Sequence, residues 1–138
     1  MREILFRAKR KCDGKWEYGF PMRYDPTHKL ADIFLQGIDV SFAVDINTIG
    51  QFTGLIDKNG TKIFEGDIVS YKGYDKGIVT FGEHKVECCN CCSYHRAIGF
   101  YVDRKQDTIY SNERTWDDFE VIGNIHDNPE LLEVTNER

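Results

Sequence analysis

Asp57-Lys58-Asn59-Gly60-Thr61-Lys62-Ile63-Phe64-Glu65-Gly66-Asp67-Ile68-Val69-Ser70-Tyr71 is the stretch on which the fold of this 138-residue chain turns. Asp57 to Gly60 is a strong turn signal, because Asp and Asn side chains bond nearby backbone and Gly accepts positive φ. The apolar pairs Ile63-Phe64 and Ile68-Val69 are short, and Glu65-Gly66-Asp67 places a second turn between them. The texture continues downstream. Ile78 to Phe81 follows the Gly73/Gly77 turn, Ile98 to Val102 comes next, and Phe119 to Ile125 closes the series. Short strands at this spacing predict a small β-barrel. Asp57 also resembles the start of a calcium loop. An EF-hand needs Gly at the sixth position, where Lys62 stands, so calcium is rejected.

Upstream, the opening reads as a hairpin. Ile4, Phe6 and Ala8 alternate with Glu3, Arg7 and Lys9, and Trp16, Tyr18 and Phe20 alternate with Lys15, Glu17 and Gly19. Asp13-Gly14 lies between the runs and suits a tight turn. Ile33 to Leu35 and Phe42 to Ile46 are too short to assign to strand or helix by periodicity. Asp45 to Gly54 has room for one helical turn before a loop, and Glu130 to Arg138 reads as a short acidic tail with helical character. The expected class is therefore mainly β (β-rich α+β). An N-terminal hairpin region, 1–54, precedes a barrel-like region, 55–138.

Composition agrees with this class. Nine Phe, seven Tyr and two Trp suit a pleated, half-buried surface. The formal charge of −5 argues against wholesale nucleic-acid binding, which rests on cations neutralising phosphates. The charge is nonetheless uneven: Arg2, Arg7, Lys9, Arg10, Lys11 and Lys15 crowd the start, and acidic residues dominate from Glu113. No apolar run approaches the length of a membrane span or a signal peptide. Four of the five cysteines, Cys88, Cys89, Cys91 and Cys92, fall together, which no loop-closing disulfide framework would do. The expected compartment is the cytoplasm, where Asn59-Gly60-Thr61 is a turn and not a glycan acceptor.

Three segments then carry a resemblance. Ile49-Gly50-Gln51-Phe52-Thr53-Gly54-Leu55-Ile56-Asp57-Lys58-Asn59-Gly60, with Ile63-Phe64-Glu65-Gly66-Asp67-Ile68-Val69, resembles the central signature of the YopX family of phage and prophage proteins. Arg2-Glu3-Ile4-Leu5-Phe6-Arg7-Ala8, with Trp16 and Tyr18-Gly19, is similar to that family as well. So is Val121-Ile122-Gly123-Asn124-Ile125-His126-Asp127-Asn128-Pro129-Glu130-Leu131-Leu132. The resemblance implies a β-rich protein with an SH3-like barrel in its C-terminal part. It implies no chemistry. The signature residues themselves read as architecture: Gly50, Gly54, Gly60 and Gly66 at turns, Asp57 and Asp67 bonding neighbouring backbone.

The sequence nominates no catalytic residue, no cofactor-binding residue and no metal ligand set. There is no G-x-S-x-G elbow, H-E-x-x-H helix or phosphate-cradling loop. Cys88 to Cys92 holds two overlapping C-x-x-C pairs between His84 and His95, but a structural zinc site usually recruits a second pair from elsewhere, and only Cys12 remains. A zinc module therefore stands as an alternative to incidental loop thiols. The Glu65-Gly66-Asp67 carboxylates read as scaffold, and His126 as a corner residue. Expected function is binding without catalysis: a phage accessory protein docking a host or phage protein, or a second copy of itself. Nucleic acid is the competing partner, through Arg7, Lys9, Arg10, Lys11 and Lys15 with aromatic platforms such as Trp16 and Tyr18. No membrane partner is expected.

Overall fold

A computed structural model describes residues 3–35, 37, 39–71, 75–87, 94–103, 109–110 and 119–133. The chain divides into two compact units, Met1–Gly54 and Leu55–Arg138. The described strands form two sheets, one of six strands and the other of five.

In the first unit β1 (Phe6–Lys9) pairs antiparallel with β2 (Trp16–Asp25), which pairs with β3 (Leu30–Leu35), which pairs with β4 (Ser41–Asp45). β1 also pairs with the start of β5 (Gly50–Ile56), a strand that runs across the unit boundary. Alternation decides which side is inside. Ala8, Ala31, Ile33 and Val44 are fully buried and share one face, with Phe42, Ile46 and Ile49 packed against them. The sheet curls around this core until the end of β1 returns to β4: Arg10 bridges Val44, and Lys11 N donates to Ala43 O at 2.9 Å. Asp45 caps the 3-10 turn Ile46–Thr48 by accepting from Asn47 N at 3.0 Å.

The opening hairpin differs from the expected tight turn. Arg10 N donates to Lys15 O and Gly14 N to Arg10 O, so four residues, Lys11 to Gly14, make the loop. Only Gly14 takes positive φ there, 74°, whereas a two-residue type I′ turn needs it at both central positions. Asp13 Oδ1 accepts from Lys15 N at 3.0 Å, and this bond leads the causes that hold the Asp13 carboxyl below its usual range.

In the second unit a turn at Asp57–Gly60 leads into β6 (Lys62–Phe64). β7 (Asp67–Tyr71) lies between β11 (Phe119–Asn124) and β8 (Asp75–Glu87). β8 in turn pairs with β9 (Tyr94–Asp103), and β9 with β10 (Ile109–Tyr110). Ile63, Val69, Val79, Val102 and Phe119 form the core, joined by Leu55, Phe100 and Val121. The sheet is open in order, with β10 and β11 at its ends and no closing pair among the described residues. One helical turn, α1 (Glu130–Glu133), follows. No helix among the described residues is long and apolar enough to cross a membrane.

β8 and β9 are far longer than the apolar runs Ile78 to Phe81 and Ile98 to Val102 suggested. Ten residue pairs join them, from Ile78↔Asp103 to Glu87↔Tyr94. Outside the core the hairpin needs no apolar alternation, so periodicity carries no signal for its outer half.

Candidate interaction surfaces

The outer face of the first sheet is set by register. Arg7 stands opposite Tyr18, Lys9 opposite Trp16 and Phe20 opposite Phe34, so these side chains lie on the face away from the Ala8–Ile33 core. Along β2 the alternate positions Trp16, Tyr18, Phe20 and Met22 make a row. Trp16 and Phe20 are half-buried, while Tyr18 is 46% and Met22 53% exposed. Tyr24, within the bulge between Met22 and Asp25, is also exposed. Arg23 adopts φ 56° at that bulge. Its guanidinium lies 5.3 Å over the Phe34 ring and 3.6 Å from Asp32 Oδ2.

The cations expected to track phosphate are otherwise engaged. Arg7 is buried, its guanidinium 4.6 Å over the Trp16 ring, with Lys9 Nζ at 5.6 Å from the same ring. Arg10 Nε donates to Glu17 Oε2 at 2.6 Å, its Nη1 lies 3.4 Å from Asp13 Oδ2, and its guanidinium covers Phe42 at 3.9 Å. The bond to Glu17 is the first cause of the raised Arg10 pKa. Lys11 and Lys15 remain exposed. The basic hairpin is thus largely consumed by its own structure. Alternation showed which residues were charged, but pairing across the loop and the curl decided which charges face water.

The second unit carries its own exposed apolar patch, on the β8–β9 hairpin. Val79, Phe81, Phe100 and Val102 share a face, since Phe81 pairs with Phe100 and Val79 with Val102. Phe81 is 50% exposed, with its ring edge-on to Phe100 at 5.0 Å, and Ile98 is 77% exposed. On the opposite face Gly82 and Gly99 stand opposite each other, and that gap lets His84 lean across to stack on Tyr101 at 4.5 Å. His84 Nδ1 lies 3.1 Å from Gly82 O. His84 is a buried packing residue here. Cys88, Cys89, Cys91 and Cys92 lie outside the described residues. Cys12 is exposed in the hairpin loop, and no group of metal-ligating side chains forms among the described residues.

The sequence profile of the YopX family, described as "YopX protein", matches residues 5–133. The chain belongs to the YopX family. Among solved structures, protein EF1440 from Enterococcus faecalis is similar in fold, with a TM-score of 0.51 at 23% identity, covering 96% of this chain and 99% of that one. No curated protein sequence matches the chain.

The residues that carry the YopX resemblance sit at turns. Asp57 Oδ1 accepts from Asn59 N and Thr61 N at 2.8 Å each, and Oδ2 accepts from Val121 N at 2.9 Å. Asp67, almost fully buried, accepts from Phe64 N at 2.8 Å and so closes the Glu65-Gly66 turn. Gly60 and Gly66 take φ of 86° and 93°, the region where a side chain is strained. Gly50 and Gly54 instead lie inside β5: Gly54 takes φ 92°, while Gly50, buried opposite Arg7, is not among the positive-φ glycines. In the C-terminal segment Asn124 Oδ1 accepts from His126 N at 3.0 Å and Asp127 N at 2.9 Å, folding the corner that follows β11. A Cβ on Gly123 would sit 2.6 Å from Asn128 Oδ1, which caps Asn124 N. Gly123→Ala is therefore expected to cost about 1–2 kcal/mol, read as a lower urea midpoint. A midpoint unchanged from wild type would show that Asn128 moves aside freely.

Proposed function

We propose that this YopX-family protein is a phage- or prophage-encoded accessory factor that works by binding, not catalysis, and docks a host or phage protein on the outer face of β2. The observation that carries this reading is the row Trp16, Tyr18, Phe20 and Met22, which lies outside the core yet is aromatic and apolar, with Tyr18 and Met22 about half exposed. Aromatic residues and Met concentrate at protein interfaces, where they supply apolar area with few rotamers to freeze. Phe34 extends the row onto β3, and Arg23 with Asp32 gives it a polar rim. The second unit is read as a scaffold of SH3-like type, acting in the host cytoplasm.

Single-stranded nucleic acid is the second reading, because alternate positions on a strand space aromatic rings about 6.7 Å apart, suited to stacked bases. Engagement of Arg7 and Arg10 and the formal charge of −5 weigh against it. A photo-crosslinking residue at Met22, compared with one at the exposed Lys58, separates the outcomes in host cells. The expected result is one discrete protein adduct from position 22 only, weakened at least about tenfold by Tyr18→Asp. Adducts to nucleic acid, equal adducts from both positions, or none would sink the proposal.

A further inference from the structure

The aromatic row of β2 ends in a backbone irregularity that changes where one cation points. Between Met22↔Asp32 and Asp25↔Leu30, two residues of β2, Arg23 and Tyr24, stand against one of β3, Ala31. Strand alternation would send Arg23 to the side of Gly19 and Pro21, which is the core side of the sheet. Arg23 instead takes φ 56°, and its guanidinium lies on the other side, 5.3 Å over the ring of Phe34. Its Nη1 stands 3.6 Å from Asp32 Oδ2. Phe34 and Asp32 pair with Phe20 and Met22, so the bulge has re-aimed Arg23 onto the aromatic row. Glycine is the residue that fills the left-handed position of such a bulge without strain, and arginine there is strained. Lys29, the other non-glycine residue of positive φ among the described residues, has a local reason for its 57°. It ends the turn 26–29 that joins β2 to β3, and its carbonyl accepts from Ile46 N at 3.0 Å.

We infer that Arg23 is the specificity-determining residue of the β2 face. It selects a protein segment that carries an Asp or Glu among apolar residues, and the carboxylate of that acid pairs with the exposed guanidinium. The inference rests on the docking proposed for β2 and adds the chemistry of what docks there. Arg23 is held by the ring and the bulge, not by a hydrogen bond to Asp32, since 3.6 Å is beyond hydrogen-bond length. Its side chain is 72% exposed, between Met22 at 53% and Tyr24 at 58%. A planar fork of donors, backed by an aromatic face and flanked by exposed apolar groups, fits one carboxylate set among apolar side chains. A phosphate dianion suits the place less. Asp32 stands beside it, and Arg10 is committed to Glu17 and Asp13.

The full chain with the photo-crosslinking residue at Met22, expressed in host cells, tests both halves. Mass spectrometry of the adduct should place an Asp or Glu within about four residues of the joined partner residue, about 13 Å of extended chain. Arg23→Glu should lower the adduct yield at least about tenfold, and changing that partner acid to Lys should restore it. Arg23→Asn should lower the yield as well. Asparagine tolerates left-handed φ, so the urea midpoint of that variant should equal or exceed that of the parent chain. Lys29→Asn removes a cation of like φ from outside the row and should leave the yield unchanged. An adduct with no acid near the join, a yield indifferent to Arg23→Glu, or an equal loss in Lys29→Asn would overturn the inference while leaving docking on β2 in place. A midpoint far lower in Arg23→Asn would overturn it too, by showing that the arginine serves the fold. Absence of any adduct at position 22 would sink both readings.

Discussion

Replacing Gly19 by alanine should destabilise the full chain by about 3 kcal/mol or more, enough to shift its urea unfolding midpoint substantially. Gly19 is buried mid-way along β2, opposite Phe6 on one side and Leu35 on the other. Its φ is not positive, so freedom of torsion is not the reason for glycine there. The reason is proximity. A Cβ would overlap the carbonyl oxygen of Phe34 and reach within 3.2 Å of Leu35 Cα. Both obstacles are backbone, which cannot rotate away as a side chain would. Relief requires prising β3 from β2 where Phe20 faces Phe34 and Pro21 faces Ile33, and Ile33 is central to the core. Gly14→Ala is the matched control. Its Cβ would meet open space, and only the 74° φ resists it, at a cost of about 1 kcal/mol. Equal midpoints for the two variants would show that the β2–β3 contact yields easily.

The turns were legible because they depend on neighbours in sequence. Asp57 with Gly60, Asp67 beside Gly66, and Asp45 before a helical turn all bond within four residues of themselves, and local chemistry names them. Strands β3 and β4 were not legible. Ala31, Ile33, Phe42 and Val44 become a buried face only when the sheet curls to bring Val44 beside Arg10, a contact between residues far apart in the chain. The site shows the same division. Aromatic wealth could be read directly, but not which rings would face water. Trp16 is partly covered because Arg7 and Lys9 lie over it, and Met22 is exposed because it pairs opposite Asp32 at the strand's bulged end. The engagement of the cations was not legible for a related reason: Glu17 and Asp13, which engage Arg10, reach it through the geometry of the hairpin.

Asp57→Ala should cost the full chain about 3–4 kcal/mol, the largest loss expected from any single carboxylate considered. The residue is 5% exposed and its two oxygens satisfy three backbone N–H groups, those of Asn59, Thr61 and Val121. The first two close the turn between β5 and β6, and the third ties that turn to β11. Lys58 N completes the joint by donating to Phe119 O at 3.1 Å. Alanine leaves three donors without their acceptor beside the Phe119 end of the core. Asp57→Asn should be intermediate, because one oxygen becomes an NH2 that cannot accept. The charge adds a pH signature. Burial works to raise the Asp57 pKa, but the N–H groups of Val121, Thr61, Asn59 and Gly60 outweigh it, and the folded value lies below the ordinary one. The carboxylate therefore contributes stability in full above the unfolded aspartate pKa of about 3.9, and this is lost as pH falls through the folded value. The stability gap between wild type and Asp57→Ala should accordingly be constant from neutral pH to about pH 5 and narrow below about pH 4. A gap that stays level into that acid range would mean that the fold draws on the shape of this side chain and not on its charge.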